Sequence, residues 1–267
     1  MAGPLAALRN ASEFFEKQRH IIWALLMREI STRYGRDDIG FLWLLIEPAL
    51  FCTGVTTLYT YIRPPFEFGL TVPQFTITGY MPMILFRQMV NFSAPSSRVN
   101  APLLYHRQIT PLQLFFSRAL VEFCGVSLSY MMIIAITCWI GIMPLPKNIL
   151  LFVCGWLMMT FQALGCAMFM NALSEMFDVV ERIVPILTYL FLPVSGAFYM
   201  VSGLPAQLRS TALLLPFVHC FEMMRGGYFG EFLPVTYSVS YALAWGAGFV
   251  LFGLLLMQFV RPKVEVL

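Results

Sequence analysis

Ionisable side chains stand inside stretches of this sequence that are otherwise apolar. Glu47 lies within residues 39–62, Arg87 within 73–92, and Arg118 and Glu122 begin 112–142. Charge at such depth is costly unless it is paired or turned to water, so each is a candidate for a transport path or a proton relay. Arg118 and Glu122 are four residues apart and are expected to pair along one helix face. Glu47 and Arg87 are expected to pair between helices. The alternative for Arg87 and for the Arg118–Glu122 pair is inter-helix glue or snorkelling towards an interface. No chain of buried carboxylates supports a relay. Ser195 and His219 offer a different chemistry, the nucleophile and base of an intramembrane hydrolase. Against it, Pro193 takes the place of the first glycine of a G-x-S-G string, and a working pair must reach hydrogen-bond distance. The six cysteines have no C-x-x-C or His-paired spacing, so neither a disulfide framework nor a metal site is expected. A G-x-x-x-x-G-K-[ST] phosphate loop is absent, so no cofactor is expected in this chain and ATP is not bound in that way.

The elements that must position these residues follow from hydropathy. The chain is 59% hydrophobic and 12% charged, with mean hydropathy +0.75. Soluble domains are roughly a quarter charged, so this is a polytopic membrane protein. A formal charge of +3, with no basic run interleaved with aromatics, gives no reason to expect nucleic acid. The expectation is an all-α membrane protein, one domain over residues 1–267, with six transmembrane helices at 39–62, 73–92, 112–142, 149–173, 183–201 and 238–260. An amphipathic interface helix is expected at 10–27, where Phe14, Phe15, Ile21, Ile22, Leu25 and Leu26 recur among Glu13, Glu16, Lys17, Arg19 and His20. A helix packed on a soluble partner is the alternative there. From Arg28 to Asp38 the chain is highly charged, and from Ile39 it is apolar, which reads as a membrane boundary. The first 27 residues lack the features of a signal peptide, so the N-terminus is expected in the cytoplasm. That orientation places twelve Lys and Arg inside against four outside, and both termini inside.

Residues 202–237 hold the apolar run 211–221, too short to cross and too apolar to dissolve. A re-entrant hairpin over 203–236, broken at its Pro and Gly residues, is expected before the last span. It carries Glu222, Arg225 and Glu231 near the outer interface. Aromatic residues cluster at Tyr59 and Tyr61, at Phe198 and Tyr199, and at Tyr228 and Phe229. They read either as a lining or as an ordinary interface belt. Two short segments join spans on the inner side. Residues 96–109 mix Arg98, His106 and Arg107 with Leu103, Leu104 and Tyr105, which suits a short helix docked in a groove or a plain solvated loop. Residues 174–182 include Glu175 and Asp178.

The string RYGRDDIGFLWLLIEPALF, with Gly40, Trp43 and Pro48, resembles the opening of type-2 ABC exporter permeases, in the branch that exports capsular polysaccharide in Gram-negative bacteria. The resemblance returns at GYMPMILFRQMVN, LPVSGAFYMVSGLP and LLLPFVHCFEMMRGGYFG and covers most of the chain. It implies a homodimer in the inner membrane around a central path, over two copies of an ABC ATPase subunit that bind ATP and Mg. Residues Arg98, Leu103, Leu104, Tyr105, His106 and Arg107, with Glu175 and Asp178, would receive the ATPase's motion. A lipid-linked polysaccharide would pass Glu47, Tyr59, Tyr61, Arg87, Phe198 and Tyr199, the rings stacking on sugar faces. Phe217, His219, Glu222, Arg225 and Tyr228 would form an outer gate. An inner-membrane polysaccharide copolymerase and an outer-membrane polysaccharide exporter would continue the route. Permeases for O-antigen or teichoic acid, small-molecule ABC exporters and an intramembrane enzyme are the alternatives.

Overall fold

The computed structural model describes residues 4–34, 40–64, 66–67, 69–96 and 109–264. Nine α-helices lie among them: α1 Pro4–Tyr34, α2 Trp43–Ile62, α3 Val72–Ser93, α4 Pro111–Trp139, α5 Ile149–Met176, α6 Asp178–Phe191, α7 Ala206–Ala212, α8 Pro216–Phe229 and α9 Val239–Val264. A two-residue hairpin pairs β1 (Phe66–Glu67) with β2 (Leu70–Thr71) between α2 and α3, turning at Gly69, whose φ is +81°.

Helix starts follow local chemistry. At α4, Thr110 Oγ1 accepts from Gln113 N at 3.3 Å while Gln113 Oε1 accepts from Thr110 N at 2.8 Å, and Pro111 sits at the first helical position. At α5, Asn148 Oδ1 accepts from Leu151 N at 3.0 Å.

Three helices, Pro111–Trp139, Ile149–Met176 and Val239–Phe259, are long and apolar enough to cross a membrane among the described residues. The core runs along α3, which is buried at most of its positions and packs on α2, α4, α5, α6 and α8. A helix enclosed by other helices need not be apolar on all sides, which is how α3 carries Gln74, Arg87 and Asn91. Helix α9 lies along α5 and leaves Trp245, Leu251, Phe252 and Phe259 exposed, the outside-in polarity of a lipid-facing helix.

Several sequence expectations are corrected here. Helix α1 does not end at 27 but continues to Tyr34, so Arg28, Glu29 and Arg33 are helical. The expected fifth span is cut short: α6 stops at Phe191, and residues 192–200 are turns and extended backbone. Pro193 lacks an N–H to continue the ladder, and Gly196 takes φ +99°. The joining segment expected at 174–182 is almost wholly helical. Helix α5 runs to Met176 and α6 begins at Asp178, with Phe177 alone between them.

Candidate functional site

All residues of α8 are buried, and its polar side chains engage backbone on either side of it. Residues 219, 222 and 225 are three apart and share one face. Arg225, wholly buried, donates from Nη1 to Gly196 O at 3.0 Å and Tyr199 O at 2.7 Å, and from Nη2 to Ala197 O at 2.6 Å. Its guanidinium carbon lies 4.5 Å from the centre of the Phe75 ring. Glu222 accepts from Val201 N through Oε1 and from Thr236 N through Oε2, both at 3.1 Å. His219 Nδ1 accepts from Ser238 N at 3.1 Å, so its proton is on Nε2, which donates to Leu213 O at 2.9 Å. Burial pushes the His219 imidazole below its ordinary value, with the bond to Leu213 O pulling it back up. Burial pushes the Glu222 carboxyl above the usual carboxylate range, opposed by the two backbone N–H groups. The turn at 192–201 and the link before α9 are thus fastened to α8 by three side chains.

Close backbone approach completes this end. A Cβ on Gly79 of α3 would meet Ala197 O at 2.0 Å and Arg225 Nη2 at 2.7 Å. Tyr228 and Gly227 carbonyls accept from Lys147 N at 3.1 Å and Asn148 N at 2.8 Å, and Tyr228 Oη lies 3.7 Å from Cys138 Sγ. Phe217 fits edge-on between Phe86 and Phe191, with centroids 4.8 and 5.1 Å away.

A second polar cluster sits at the other end of α4. Arg33 of α1 donates from Nε to Glu29 Oε1 at 2.9 Å and pairs through Nη1 with Glu122 of α4. Arg118 Nε lies 3.0 Å from the same Glu29 oxygen, an ion-pair contact not aligned as a hydrogen bond. Arg118 Nη1 donates to Phe92 O of α3 at 3.1 Å, and Arg33 lies over the Phe92 ring at 4.5 Å. Gln113 Nε2 donates to Gln18 Oε1 at 2.6 Å. Twenty residues of α4 separate Arg118 from Cys138, about 30 Å at helical rise, which is the thickness of a bilayer's hydrocarbon core.

The expected Arg118–Glu122 pair is therefore not formed. Each residue reaches across to α1 instead, because a facing helix offers an opposite charge at shorter range. No ion pair joins Glu47 to Arg87 among the described residues. Arg87 stacks on Tyr189, 3.7 Å from its centroid, and Glu47 lines an open groove of about 430 Å3 on α2 with Trp43, Leu50 and Phe51. The hydrolase pair fails too. Ser195 Oγ donates to Leu192 O at 2.8 Å and accepts from Ala197 N at 3.2 Å, while both His219 nitrogens hold backbone.

The remaining expected residues fall into groups. Tyr59 and Phe198 touch edge-on at 5.2 Å beneath Arg63, which lies 4.5 Å over Tyr59. Tyr199 turns its hydroxyl to Val194 O at 2.8 Å. Tyr61 is 85% exposed and stands apart, since two residues on from Tyr59 is the far side of a helix. Glu175 closes α5 and Asp178 opens α6. Arg98, Leu103, Leu104, Tyr105, His106 and Arg107 lie outside the described residues. Sequence reasoning passed over Asn171 and Ser174, both wholly buried near the end of α5. Asn171 Nδ2 donates to Ala94 O at 2.6 Å and Ser96 Oγ at 3.0 Å, and Ser174 Oγ to Ala94 O at 2.9 Å, satisfying carbonyls that the end of α3 leaves open. An Asn in an apolar span was the available signal.

The ABC-2 type transporter family profile matches residues 20–229. The chain is 36% identical over 248 residues to the capsule polysaccharide export inner-membrane protein BexB of Haemophilus influenzae, covering 93% of this chain and 94% of that one. It is 35% identical to CtrC of Neisseria meningitidis serogroup B, a capsule polysaccharide export inner-membrane protein, with the same coverage. Over 233 residues it is 26% identical to the polysialic acid transport protein KpsM of Escherichia coli, covering 86% of this chain and 90% of the relative. With the family profile spanning most of its length and relatives matching it nearly end to end, the chain belongs to the ABC-2 type transporter family.

Proposed function

We propose that this chain is the membrane permease subunit of an ATP-driven exporter that moves capsular polysaccharide, carried on a lipid, across the bacterial inner membrane. The observation that carries this reading is the end-to-end match to BexB and CtrC, both capsule polysaccharide export inner-membrane proteins. Composition and the apolar helices agree with an inner-membrane protein. Since the sequence holds no phosphate loop, hydrolysis of ATP with Mg falls to two copies of a separate ATPase subunit. Helices α2 to α6 and α9 supply six spans, with α6 completed by the turns at 192–201. The α7–α8 pair dips into the outer leaflet and returns, and both termini lie in the cytoplasm. Two protomers enclose the path, with α1 along the inner membrane surface. Residues 97–108 and the α5–α6 junction at Glu175 and Asp178 receive the ATPase's closure.

Along the path, the Tyr59–Phe198 pair and Arg63, then Arg87 on Tyr189, present rings for sugar faces and cations for polymer acids. At its outer end α8 is the gate, with Phe217, His219, Glu222, Arg225 and Tyr228 holding its shape. A copolymerase and an outer-membrane exporter carry the polymer onward.

Two experiments test this. Tagged protein extracted from its host in mild detergent should bring down an ABC ATPase in equal amount. Deletion of the gene should leave capsular polymer inside the cell, restored by the plasmid-borne copy. Recovery without an ATPase under several gentle conditions would remove the energy source, and normal surface capsule in the deletion strain would remove the cargo.

A further inference from the structure

The charged cluster at the α1 end is placed where motion would enter the protein. Glu29, Arg118 and Glu122 are almost wholly buried, and Arg33 joins them from the rim. Burying charges carries a desolvation cost that their attraction only roughly offsets, so apolar side chains of similar volume would hold α1 against α4 about as firmly. What the charges add is register, because the contacts exist only when all partners are in place. Two of them also reach a third helix. Arg118 donates to Phe92 O and Arg33 stacks on the Phe92 ring, in the last turn of α3, which ends at Ser93. The segment 97–108 leaves from this end of α3 and returns to the chain just before α4, whose first turn holds α1 through Gln113 and Gln18. Both ends of that segment therefore enter helices held by one cluster.

Resting on the permease reading above, we propose that Glu29, Arg33, Arg118 and Glu122 are positioning residues for energy coupling. They buckle α1, the foot of α4 and the last turn of α3 into one lever. A displacement delivered to 97–108 then moves α1 and α4 together rather than bending a single helix. Without the buckle, the ATPase still turns over on its permease, but its stroke is lost between the helices.

The test uses the complete complex with its ATPase, reconstituted in lipid vesicles, and measures ATP turnover, polymer transported per ATP and thermal midpoint separately. The double variant Glu29→Leu with Arg118→Leu removes the link through Glu29 and the reach of Arg118 to Phe92 O, and it strands no charge because Arg33 and Glu122 keep each other. It should keep the wild-type midpoint and ATP turnover while polymer per ATP falls about tenfold. The swap Glu29→Arg with Arg118→Glu should recover part of the loss. Unchanged polymer per ATP in the leucine variant would overturn the proposal, and so would a parallel fall of midpoint, turnover and transport. Should that variant fail to fold, Gln18→Cys with Gln113→Cys, joined by a short reducible thiol cross-linker, decides the matter. Helices that move together tolerate the joint, and export continues. Loss of export on joining, restored by reduction, would overturn the lever. A wild-type complex that lacks an ATPase or moves no polymer would instead sink the permease reading, and the coupling proposal with it.

Discussion

At the α8 end of the molecule, buried polar side chains hold backbone; at the α1 end, they chiefly hold one another. Arg225 satisfies three carbonyls of a turn, and Glu222 and His219 take the N–H groups of neighbouring segments, so each side chain fixes a local chain path. Glu29, Arg33, Arg118 and Glu122 link side-chain tips, once within α1 and twice between α1 and α4, with one reach to the backbone at Phe92. A side chain that holds backbone fixes one stretch of chain, whereas charged tips that bind one another hold separate helices in register. The first arrangement suits a fixed turn and the second a buckle between helices.

The largest effect that would break this comparison is at Arg225. Arg225→Leu leaves buried carbonyls at Gly196, Ala197 and Tyr199 without their donor, and we expect about 3 kcal/mol or more of lost stability. Detergent-solubilised protein should show a collapsed folded fraction by fluorescence size-exclusion chromatography. The Glu29→Leu, Arg118→Leu double variant, at the other end, should stay within about 1 kcal/mol of wild type by the same assay. Equal losses at the two ends would erase the distinction.

Next is Gly79→Ala. Its Cβ would stand 2.0 Å from Ala197 O, a backbone atom that cannot swing away, and we expect about 1–3 kcal/mol of destabilisation. A wild-type thermal midpoint would mean that the 192–201 turn yields more readily than its clamps imply. Glu222→Gln is milder. It keeps one carbonyl acceptor but leaves an amide group facing one N–H, an expected cost of about 1 kcal/mol.

The smallest effect is with pH. His219 has a folded-state value below that of the unfolded chain, because burial disfavours its charge. Below the ordinary histidine value the unfolded state binds the proton more readily than the folded one, so His219 draws stability down as pH falls. Relative to His219→Gln, the wild-type thermal midpoint should fall between pH 7.5 and pH 5.5, with the opposite pull of the raised Glu222 carboxyl common to both proteins.

Much of the architecture was legible because hydropathy acts locally. The spans expected at 112–142, 149–173 and 238–260 match α4, α5 and α9, which are long and apolar enough to cross a membrane, and the stretch 73–92 matches the helix α3 to within a few residues. The end of α6 was misread because the high hydropathy of 183–201 outweighed the local signals of Pro193 and Gly196, and where the turn settles depends on how Arg225 and Gly79 receive it. The partners of Arg118 and Glu122 were misread for a related reason. Spacing along one helix identifies neighbours on that helix only, and Glu29 is 89 residues before Arg118 in the chain. Likewise Ser195 and His219 looked reactive as residue types, but both bind backbone at their own sites.

That this is a polytopic helical membrane protein whose sequence holds no phosphate loop could be read from the residues alone, and the motifs were enough to resemble the right family. Those properties are sums over local residues or short strings, and folding does not alter them. What the buried charges hold emerges from packing, because their energy depends on which distant group lies within about 3 Å in a low-dielectric interior. That distance is set by helix packing, through close approaches such as Gly79 on Ala197, and no local pattern encodes it.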